Sequence, residues 1–460
     1  MEFQKSLPLI AEPDVLVCGC GSAGCAATVA AARRGARVMA VERWGFSGGY
    51  MTAVFGPGFD GFVDIRTGIP VVGGIAFDFV RTASSLTGGN VEDIASRRFF
   101  AGSDLRNLVE NPERDPLVIN VELFKLQADR FMQEAGAEVL YHTHVADAVV
   151  KGGRIDGVVV VNKGGLGLIR PKFVVDTTGD ADVAAFAGAP YRMNDELQPM
   201  SLHFRVRNVR GIDGDLRGKC GAVLARAHEA GELPLYGGPW MGQIEADEVW
   251  LNATRIDGNG TDPRDITRAE MQGRRDARTM FGWWKEHLEE FRDAIFVTSG
   301  PVVGVRETRR ITGQSVITRE DILERRGAPD PVVMGAWYLD RHPKGKSGYH
   351  VHEVVRPYEI GYSTMVPREV ENLLVAGRCH SADSPALAST RVNGTALGMG
   401  QAAGTAAALA VSSGRTAPDV DVPRLQRMLL EDGAIILERA EQALAPGDAL
   451  GDRIPRSKER

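Results

Sequence analysis

The feature that most constrains this chain is a glycine-rich turn between two short apolar runs near the N-terminus. Residues 15–18 read Val-Leu-Val-Cys and run directly into Gly19-x-Gly21-x-x-Gly24, which opens an alanine-rich stretch at 25–34. A second apolar run at 37–41 ends on Glu42. This order of strand, tight turn, helix, strand and acid is typical of a β-α-β unit that binds a dinucleotide. The chain is therefore predicted to contain a parallel sheet with a dinucleotide at the end of its first strand.

Each glycine of this turn has a separate predicted role. Gly19 would make a backbone turn that a side chain hinders, Gly21 would let the backbone approach a pyrophosphate, and Gly24 would let the helix pack closely. The helix N-terminus would present N–H groups to the phosphates, and Glu42 would accept hydrogen bonds from a ribose. An ordinary glycine-rich turn, which is the alternative, explains neither the three glycines together nor the acid.

Composition narrows the class of protein. The 460 residues are 43% hydrophobic and 25% charged, which is ordinary for a globular protein of two to three domains. A net charge of −6 gives no indication of nucleic-acid or anionic-membrane binding. No apolar window is long enough for a membrane span, and the N-terminal residues do not resemble a secretory signal. The five cysteines have neither disulfide-like nor zinc-like spacing, so no metal is predicted and a reducing cytoplasm is the expected location.

The patterns along the chain predict an α/β fold in which one domain is assembled from both ends. Residues 1–188 carry the β-α-β unit, an amphipathic helix at 120–135, strands at 138–142, 144–151 and 155–162, and a further strand-turn-helix at 173–187. Residues 189–368 have alternating strands and a charged helix at 268–292, and are predicted to form an inserted α+β substrate or cap domain. Residues 369–415 return to the first domain with a strand and a small-residue helix at 396–410, and residues 416–460 add a surface helix at 422–442 and a tail.

Within the first part, the glycine-rich residues 53–90 are predicted to form loops around a ligand, with one short helix at 75–85. The charged residues 92–111 are predicted to be helical or a mobile excursion.

Several segments resemble flavoprotein motifs. The first unit, with Glu42-Arg43 and Gly48-Gly49, resembles the first motif of glutathione-reductase-like flavoproteins, and residues 175–182 are similar to their second motif. Residues 304–311, 374–379, 391–392 and 398–404 resemble the FAD-dependent oxidoreductase family of the FAD_oxidored type, a distant relative of the fumarate reductase and succinate dehydrogenase flavoproteins. The resemblance extends from about residue 14 to residue 410. It implies FAD as the cofactor and a Rossmann-like domain of three layers, ββα.

The resemblance also implies which residues bind FAD. The glycine turn would hold the pyrophosphate, Glu42 the adenosine ribose, the backbone of Val145 the adenine, and Arg378 with the loop 392–395 the flavin. No His follows the second glycine pair, so FAD is expected to bind without a covalent bond. Residues 360–363, 380, 383–385 and 393–394, near the expected flavin face, depart from the pattern of the relatives, so the reaction can differ from theirs. The full set is Gly19, Gly21, Ser22, Ala23, Gly24, Glu42, Arg43, Gly48, Gly49, Val145, Thr178, Gly179, Asp180, Gly377, Arg378, Arg391, Val392, Asn393 and Thr395.

Catalytic candidates are residues that could take a proton from a substrate, a role most often played by His. His350 and His352 would face the same side of a strand, either in the site or on the surface, and their spacing with an adjacent Glu argues against a metal site. The other candidates are His380, His203 and Tyr362, with structural roles as the alternative. The basic residues of segment 306–310 could bind an anionic substrate or pair with Glu307.

The leading hypothesis is an FAD-dependent dehydrogenase or oxidase that removes a hydride from a CH–OH, CH–NH or CH–CH bond of a small organic molecule. The alternatives are a flavin monooxygenase fed by a separate reductase, a redox-neutral flavoprotein isomerase or lyase, and a plain NAD-binding protein. The flavin-end motifs argue against the last of these. The electron acceptor stays open between dioxygen, a quinone and a redox protein, and a homo-oligomer is compatible with the sequence.

Overall fold

The computed structural model describes residues 6–58, 60–64, 70–79, 120–212, 215–234, 238–245, 247–342 and 351–436. The predicted segment 92–111, most of the predicted helix 75–85 and the tail after residue 436 therefore lie outside the described residues. Residues 75–79 are helical, as predicted for the start of that helix.

The strands among the described residues are β1 (Leu9–Ala11), β2 (Val15–Cys18), β3 (Val38–Val41), β4 (Glu138–Leu140), β5 (His144–Lys151), β6 (Arg154–Asn162), β7 (Gly165–Ile169), β8 (Phe173–Asp176), β9 (Tyr191–Arg192), β10 (His203–Arg207), β11 (Trp240–Glu245), β12 (Glu248–Asn252), β13 (Ile295–Ser299), β14 (Arg310–Ile311), β15 (Pro331–Gly335), β16 (Leu339–Arg341), β17 (Val351–Glu353), β18 (Tyr358–Gly361) and β19 (Leu373–Val375).

The helices of the same residues are α1 (Ser22–Arg33), α2 (Val121–Glu134), α3 (Asp182–Phe186), α4 (Leu216–Glu229), α5 (Pro263–His287), α6 (Arg319–Glu324), α7 (Ser384–Thr390), α8 (Asn393–Ser413) and α9 (Val422–Glu431). Short 3₁₀ turns lie at Gly49–Met51, Glu289–Phe291 and Tyr362–Thr364. No helix among these is both long enough and apolar enough to cross a membrane.

A five-stranded parallel sheet, in the order β19-β8-β2-β3-β4, forms the centre of the fold. Every residue of β2, β3 and β8 is buried, which explains why these strands are unbroken apolar runs in the sequence. Cys18 lies opposite both Val41 and Asp176. The loops that follow these three strands therefore meet at one edge of the sheet, which is where open α/β sheets bind their ligands.

Alternate residues of β2 face two different layers. Val15 and Val17 pack in one core with α1 and α8, whereas Leu16 and Cys18 pack in another core with β6 and β7. The second layer is a sheet in the order β1-β7-β6-β5. Helices on one face and a sheet on the other give the predicted three-layer Rossmann-like domain, which is confirmed.

One of the three strands predicted within residues 138–162 pairs differently in the structure, and one strand of the structure has no predicted counterpart. The predicted strand 138–142 is β4, which pairs in parallel with β3 because α2 crosses over between them. The strand that continues the antiparallel pair of β5 and β6 is instead β7, which pairs antiparallel with β6. Its glycines at 165 and 167 conceal the alternation that marks a strand in the sequence.

The inserted segment carries its own antiparallel sheet, in the order β11-β12-β10-β13. This sheet and helices α4 and α5 enclose a separate core that includes Phe204, Leu251 and Trp284. Residues of β15 and β18 belong instead to the main core beside α8. The independent cap core is thus narrower than the predicted 189–368, and the domain boundaries themselves stay a prediction.

Helix boundaries shift for local reasons. Helix α5 begins at Pro263 rather than 268, because the Asp262 side chain accepts bonds from the N–H groups of Arg264 (2.7 Å) and Asp265 (3.3 Å) and proline is favoured in the first turn. Helix α9 ends at Glu431 rather than 442, where Gly433 takes a φ of +76°. Residues 393–395, predicted as a loop, form the first turn of α8.

Candidate functional site

One cavity of about 820 Å³ joins the glycine turn after β2 to the inner face of the cap sheet. Its volume lies within the range of roughly 300–1,000 Å³ that is usual for ligand and cofactor sites. The cavity is lined by the loops that follow the parallel strands, by the start of α8 with residues 53–54 and 60–63, and by β10 to β12 with the 301–306 segment.

The glycine turn has the geometry that its sequence predicts. Gly19 has a φ of +94°, and a Cβ there would lie 2.7 Å from the Thr177 carbonyl oxygen. A Cβ on Gly24 would lie 1.8 Å from the Gly19 oxygen, so the helix could not pack as it does. A Cβ on Gly21 would have only the Gly49 Cα nearby, at 3.9 Å, because this position opens into the cavity. The backbone at Gly21 is therefore accessible to a ligand such as a pyrophosphate.

Two helix N-termini converge on the cavity. No side chain caps α1, where Ser22 and Ala23 line the cavity, and none caps α8, where Val392 and Asn393 do. In the first turn of α8 the Thr395 hydroxyl is buried and has no hydrogen-bond partner within the described residues. The positive end of each helix dipole favours an anion, so these termini fit a pyrophosphate and a reduced flavin ring. In α8 the Gly394 N–H is already taken by the Asp60 carbonyl oxygen at 2.9 Å.

These two helices are held together by glycine. A Cβ on Gly400 would lie 2.0 Å from the Ala23 oxygen, and a Cβ on Gly404 would lie 2.2 Å from the Ala27 oxygen. The small residues of the 398–404 segment therefore bring α8 against α1 at backbone contact. This packing places both N-termini beside the same cavity.

Glu42 lies at the end of β3 with its carboxylate on the cavity wall. Its oxygens accept bonds from the backbone N–H groups of Cys20 (2.7 Å) and Trp44 (3.0 Å). Burial raises the pKa of this carboxyl, and the two backbone bonds oppose that rise. The bonds fix the carboxylate in position while each oxygen keeps a lone pair for a ribose hydroxyl.

Asp180 and Arg378 connect the second motif to the segment after β19. Arg378 Nη2 lies 2.9 Å from the Asp180 carboxylate, which also accepts a 2.6 Å bond from the Thr308 hydroxyl. Burial opposes the charge of Asp180, but Arg378 and the Thr308 bond hold its pKa below the usual value. Gly179 has a φ of +83° beside this pair.

Most residues predicted to bind FAD line this one cavity. Three lie directly behind its wall: Gly24 in the helix contact, Gly48 against Thr52, and Thr395 in the first turn of α8. The predicted residues that line the cavity are Gly19, Gly21, Ser22, Ala23, Glu42, Arg43, Gly49, Val145, Thr178, Gly179, Asp180, Gly377, Arg378, Arg391, Val392 and Asn393.

Of the predicted catalytic residues, His203 lines the cavity. Its Nδ1 lies 3.2 Å from the Trp250 indole nitrogen, which can donate to it, and 3.3 Å from the Phe55 carbonyl oxygen, to which it donates in the other tautomer. Burial, and then the nearby Arg306, lower its pKa to about 3. His203 is therefore neutral at physiological pH and a weak base.

The structure places His380 and Tyr362 outside the cavity wall. His380 is fully buried between the hydroxyls of Thr364 (3.3 Å) and Thr390 (2.8 Å), and burial lowers its pKa to about 3. The Tyr362 hydroxyl donates to the Ala417 carbonyl at 2.8 Å. Both side chains thus have hydrogen-bond partners within the protein, and their catalytic role stays a prediction.

The remaining two candidates lie at the limit of the described residues. His350 lies outside them. His352 belongs to β17, where its backbone is opposite Asp340 in β16.

Sequence reasoning missed an acid in the middle of the cavity. The side chain of Asp60 lines the cavity and makes no hydrogen bond within the part of the chain that the structure describes. Burial raises the pKa of its carboxyl to about 7, the negative charge of Asp340 adds to this rise, and Arg391 opposes it. The backbone oxygen of Asp60 accepts the Gly394 N–H at 2.9 Å, which ties the acid to the start of α8. The signal was its position among Gly56, Gly58 and Gly61, in a segment predicted to surround a ligand.

Three more polar residues line the same cavity as Asp60, namely Asp340, Arg391 and His342. Asp340 accepts from Arg391 Nη2 at 3.2 Å and lies 3.1 Å from His342 Nε2. Burial lowers the pKa of His342 well below its usual value, with Asp340 acting in the opposite direction. Arg391 and Asp340 therefore balance each other's charge, whereas Asp60 makes no ion pair with any residue that the structure describes.

Structures of similar fold include several flavoenzymes, all at low identity. A geranylgeranyl bacteriochlorophyll reductase-like protein from Thermoplasma acidophilum is 12% identical, with 92% of this chain and 83% of that chain covered and a TM-score of 0.47. The L-proline dehydrogenase from P. horikoshii is 13% identical, with coverage of 93% and 99% and a TM-score of 0.41. A flavin-dependent brominase is 15% identical, with coverage of 91% and 83% and a TM-score of 0.44. These similarities are too distant to indicate a reaction.

Comparison with curated proteins gives no match. The family model described as FAD dependent oxidoreductase matches residues 14–429, which is most of the chain and includes the glycine turn, the cap sheet and α8. The cofactor of this family is FAD, and the cavity offers two uncapped helix N-termini, an open backbone at Gly21 and a fixed carboxylate at Glu42 to receive it. The protein is a member of the FAD dependent oxidoreductase family.

Proposed function

We propose that this oxidoreductase is a dehydrogenase or oxidase that takes a hydride from a CH–OH, CH–NH or CH–CH bond of a small organic molecule. The observation that carries the proposal is Asp60, a carboxyl without a hydrogen-bond partner in the described residues and with a pKa of about 7. It faces the same cavity as the glycine turn. A group with a pKa near the working pH is the best general base, since it is both ionised and able to hold a proton.

In this proposal the residues that line the cavity bind FAD without a covalent bond. The N-terminus of α1 with Gly21 and Gly49 would hold the pyrophosphate, Glu42 the ribose, and Val392 to Thr395 the flavin. When bound, FAD supplies the acceptor for two electrons and one hydrogen of the donor. The N-terminal dipole of α8 would stabilise the negative charge that reduction adds.

The protein's own contribution is to remove the remaining proton. Loss of a hydride from the carbon of an alcohol or amine leaves a protonated carbonyl or imine, whose O–H or N–H proton must leave. Asp60 would take that proton, while Arg391, held by Asp340, keeps part of the charge of the ionised form balanced. His203, with a pKa of about 3, would instead orient the donor through hydrogen bonds.

The proposal is tested by visible spectra of the purified protein under anaerobic conditions. Alcohols, amines and saturated acids are added one class at a time, and NADH and NADPH are added separately. Bleaching by one organic class supports the proposal, and readmitting air then shows whether dioxygen is the acceptor. Bleaching by NAD(P)H alone would indicate a monooxygenase, and a spectrum that no donor bleaches would indicate a reductase-fed or redox-neutral flavoprotein.

The isosteric variant Asp60→Asn assigns the base. It should keep its FAD but reduce it about 10²–10⁴-fold more slowly, the range measured for loss of a general base. The matched variant Asp60→Glu keeps a carboxyl and should retain more of the rate. Equal rates in wild type and Asp60→Asn would remove Asp60 from the mechanism.

A further inference from the structure

Arg306 is a buried cation on the cavity wall. Its side chain lines the cavity, and the residue is 8% exposed. Nη1 donates to the Pro199 carbonyl (2.6 Å) and to the Ser201 hydroxyl (2.8 Å), and Nη2 donates to the Asn252 amide oxygen (3.4 Å). All three acceptors are neutral. Within the described ranges of the chain, no carboxylate forms an ion pair with Arg306.

A buried charge is costly unless an opposite charge compensates it. The cations Arg255 and Arg391 act against the charged form of Arg306, and Asp340 favours that form without making an ion pair with it among the described residues. His203 lies in the same cavity and is neutral, so it neither adds to nor balances this charge. The geometry therefore leaves one positive charge on this wall that a ligand can compensate.

Arg306 also has hydrogen-bond donors left for a ligand. A guanidinium carries five N–H groups, and the three bonds above use three of them. The remaining donors of such a planar group suit an acceptor with two oxygens in one plane. A carboxylate has that shape and a single negative charge, which matches one uncompensated cation.

Arg306 and the proposed base flank the same part of the cavity. The electrostatic environment of Tyr50, which also lines the cavity, includes Asp60 and Arg306 together with Arg391 and Asp340. The carboxylates of Asp60 and Asp340 would repel a dianion such as phosphate more strongly than a monoanion. A small monoanion could contact Arg306 and present an adjacent C–OH or C–NH group to Asp60.

We propose that Arg306 binds the carboxylate of the donor, so that the substrate is a small organic acid that carries its oxidisable alcohol or amine group. The reaction part of this inference rests on the proposed function, whereas the carboxylate site stands independently of turnover. Oxidation of such an acid gives an oxo or imino acid, with the hydride going to FAD and the proton to Asp60.

The test is a binding titration of the FAD-loaded protein with carboxylates that cannot be oxidised, and with their neutral amides. Acetate and benzoate are the probes, acetamide and benzamide the isosteric controls, and inorganic phosphate a third arm. Binding is measured by calorimetry and by change of the flavin spectrum. Carboxylates should bind at least tenfold more tightly than amides and than phosphate.

Variants then assign the carboxylate site to Arg306. Arg306→Met should weaken carboxylate binding at least tenfold, and Arg306→Lys, which keeps the charge but loses the planar group, should be intermediate. Arg205→Met is the control: it removes a half-buried arginine of β10 that is paired with Glu248 and lies off the cavity, so carboxylate affinity should stay unchanged. If Arg306→Met does not fold, the inference is still tested by Arg306→Lys and by the comparison of carboxylates with amides in the wild type.

Three results would overturn the inference. They are equal affinity for carboxylates and amides, tighter binding of phosphate, and unchanged carboxylate affinity in an Arg306 variant whose FAD content or reduction potential has shifted. The third result would indicate that Arg306 contacts FAD and not the substrate. If neutral donors alone reduce the flavin, the inference fails and the proposed function stands; if carboxylates bind through Arg306 but no donor reduces the flavin, the reverse holds.

Discussion

Gly21→Ala separates cofactor binding from folding, because the added methyl group enters the cavity and touches almost nothing in the protein. Its nearest neighbour would be the Gly49 Cα at 3.9 Å, an ordinary contact. Replacing glycine by alanine at a helix N-cap costs about 0.5–1 kcal/mol, and the reduced freedom of the unfolded chain returns about 0.4–1 kcal/mol. The free energy of unfolding of the apoprotein should therefore change little.

The same methyl group occupies space that the pyrophosphate backbone needs. An overpacked contact costs about 1–3 kcal/mol, which corresponds to roughly a 5-fold to 140-fold rise in the dissociation constant of FAD. Gly21→Val, with a larger side chain, should yield colourless protein. FAD per protein is measured from the visible and ultraviolet absorbance after purification, and the dissociation constant by adding FAD back to apoprotein.

Two other glycines provide the controls. A Cβ on Gly24 would lie 1.8 Å from the Gly19 oxygen, so Gly24→Ala should destabilise the fold itself, by about 3 kcal/mol or more, in urea unfolding. Gly282 in α5 has no atom within 4 Å of its would-be Cβ, so Gly282→Ala should be neutral or slightly stabilising, with full FAD content. The reasoning is refuted if Gly21→Val keeps full FAD content, or if Gly21→Ala unfolds as easily as Gly24→Ala.

Three further outcomes are expected. In the wild type, the rate of flavin reduction should rise with pH through about 7, because burial raises the pKa of Asp60 to that value and the ionised form is the base; this step should be absent from the pH profile of Asp60→Asn. Gly404→Ala should lower the free energy of unfolding by about 1–3 kcal/mol in urea, since its Cβ would lie 2.2 Å from the Ala27 oxygen; unchanged stability would contradict the helix contact. His380→Asn should lower the melting temperature while flavin reduction in the FAD-loaded variant stays within about twofold of wild type; a large loss of rate at unchanged stability would restore the catalytic role.

The cofactor end of the site could be predicted because its determinants are local. The turn from Gly19 to Gly24 is set by contacts within one β-α-β unit, and Glu42 follows the very next strand. The alternation of Val15 and Leu16 between two layers is also fixed by the strand itself. The strand predicted at 138–142 corresponds to β4, although its pairing with β3 depends on the crossover through α2.

The substrate end depended on contacts between distant segments. Asp60 belongs to the site because Gly394, at the start of α8, bonds to its backbone oxygen. Arg306 lies on the cavity wall because Pro199, Ser201 and Asn252 from the cap hold its guanidinium. His380 follows the correct motif yet turns into the core, where two threonines bind it. The sequence around each of these residues does not predict which distant residues it will contact.

The central claim, that the protein removes a hydride from an organic donor, is tested most directly by a deuterium isotope effect on anaerobic flavin reduction. The best donor from the spectral panel is compared with the same compound deuterated at the carbon that is oxidised, in rapid-mixing experiments without NAD(P)H. The account predicts that both bleach the flavin band and that the deuterated donor does so several-fold more slowly. Bleaching that requires NAD(P)H, or no bleaching by any organic donor, would contradict it.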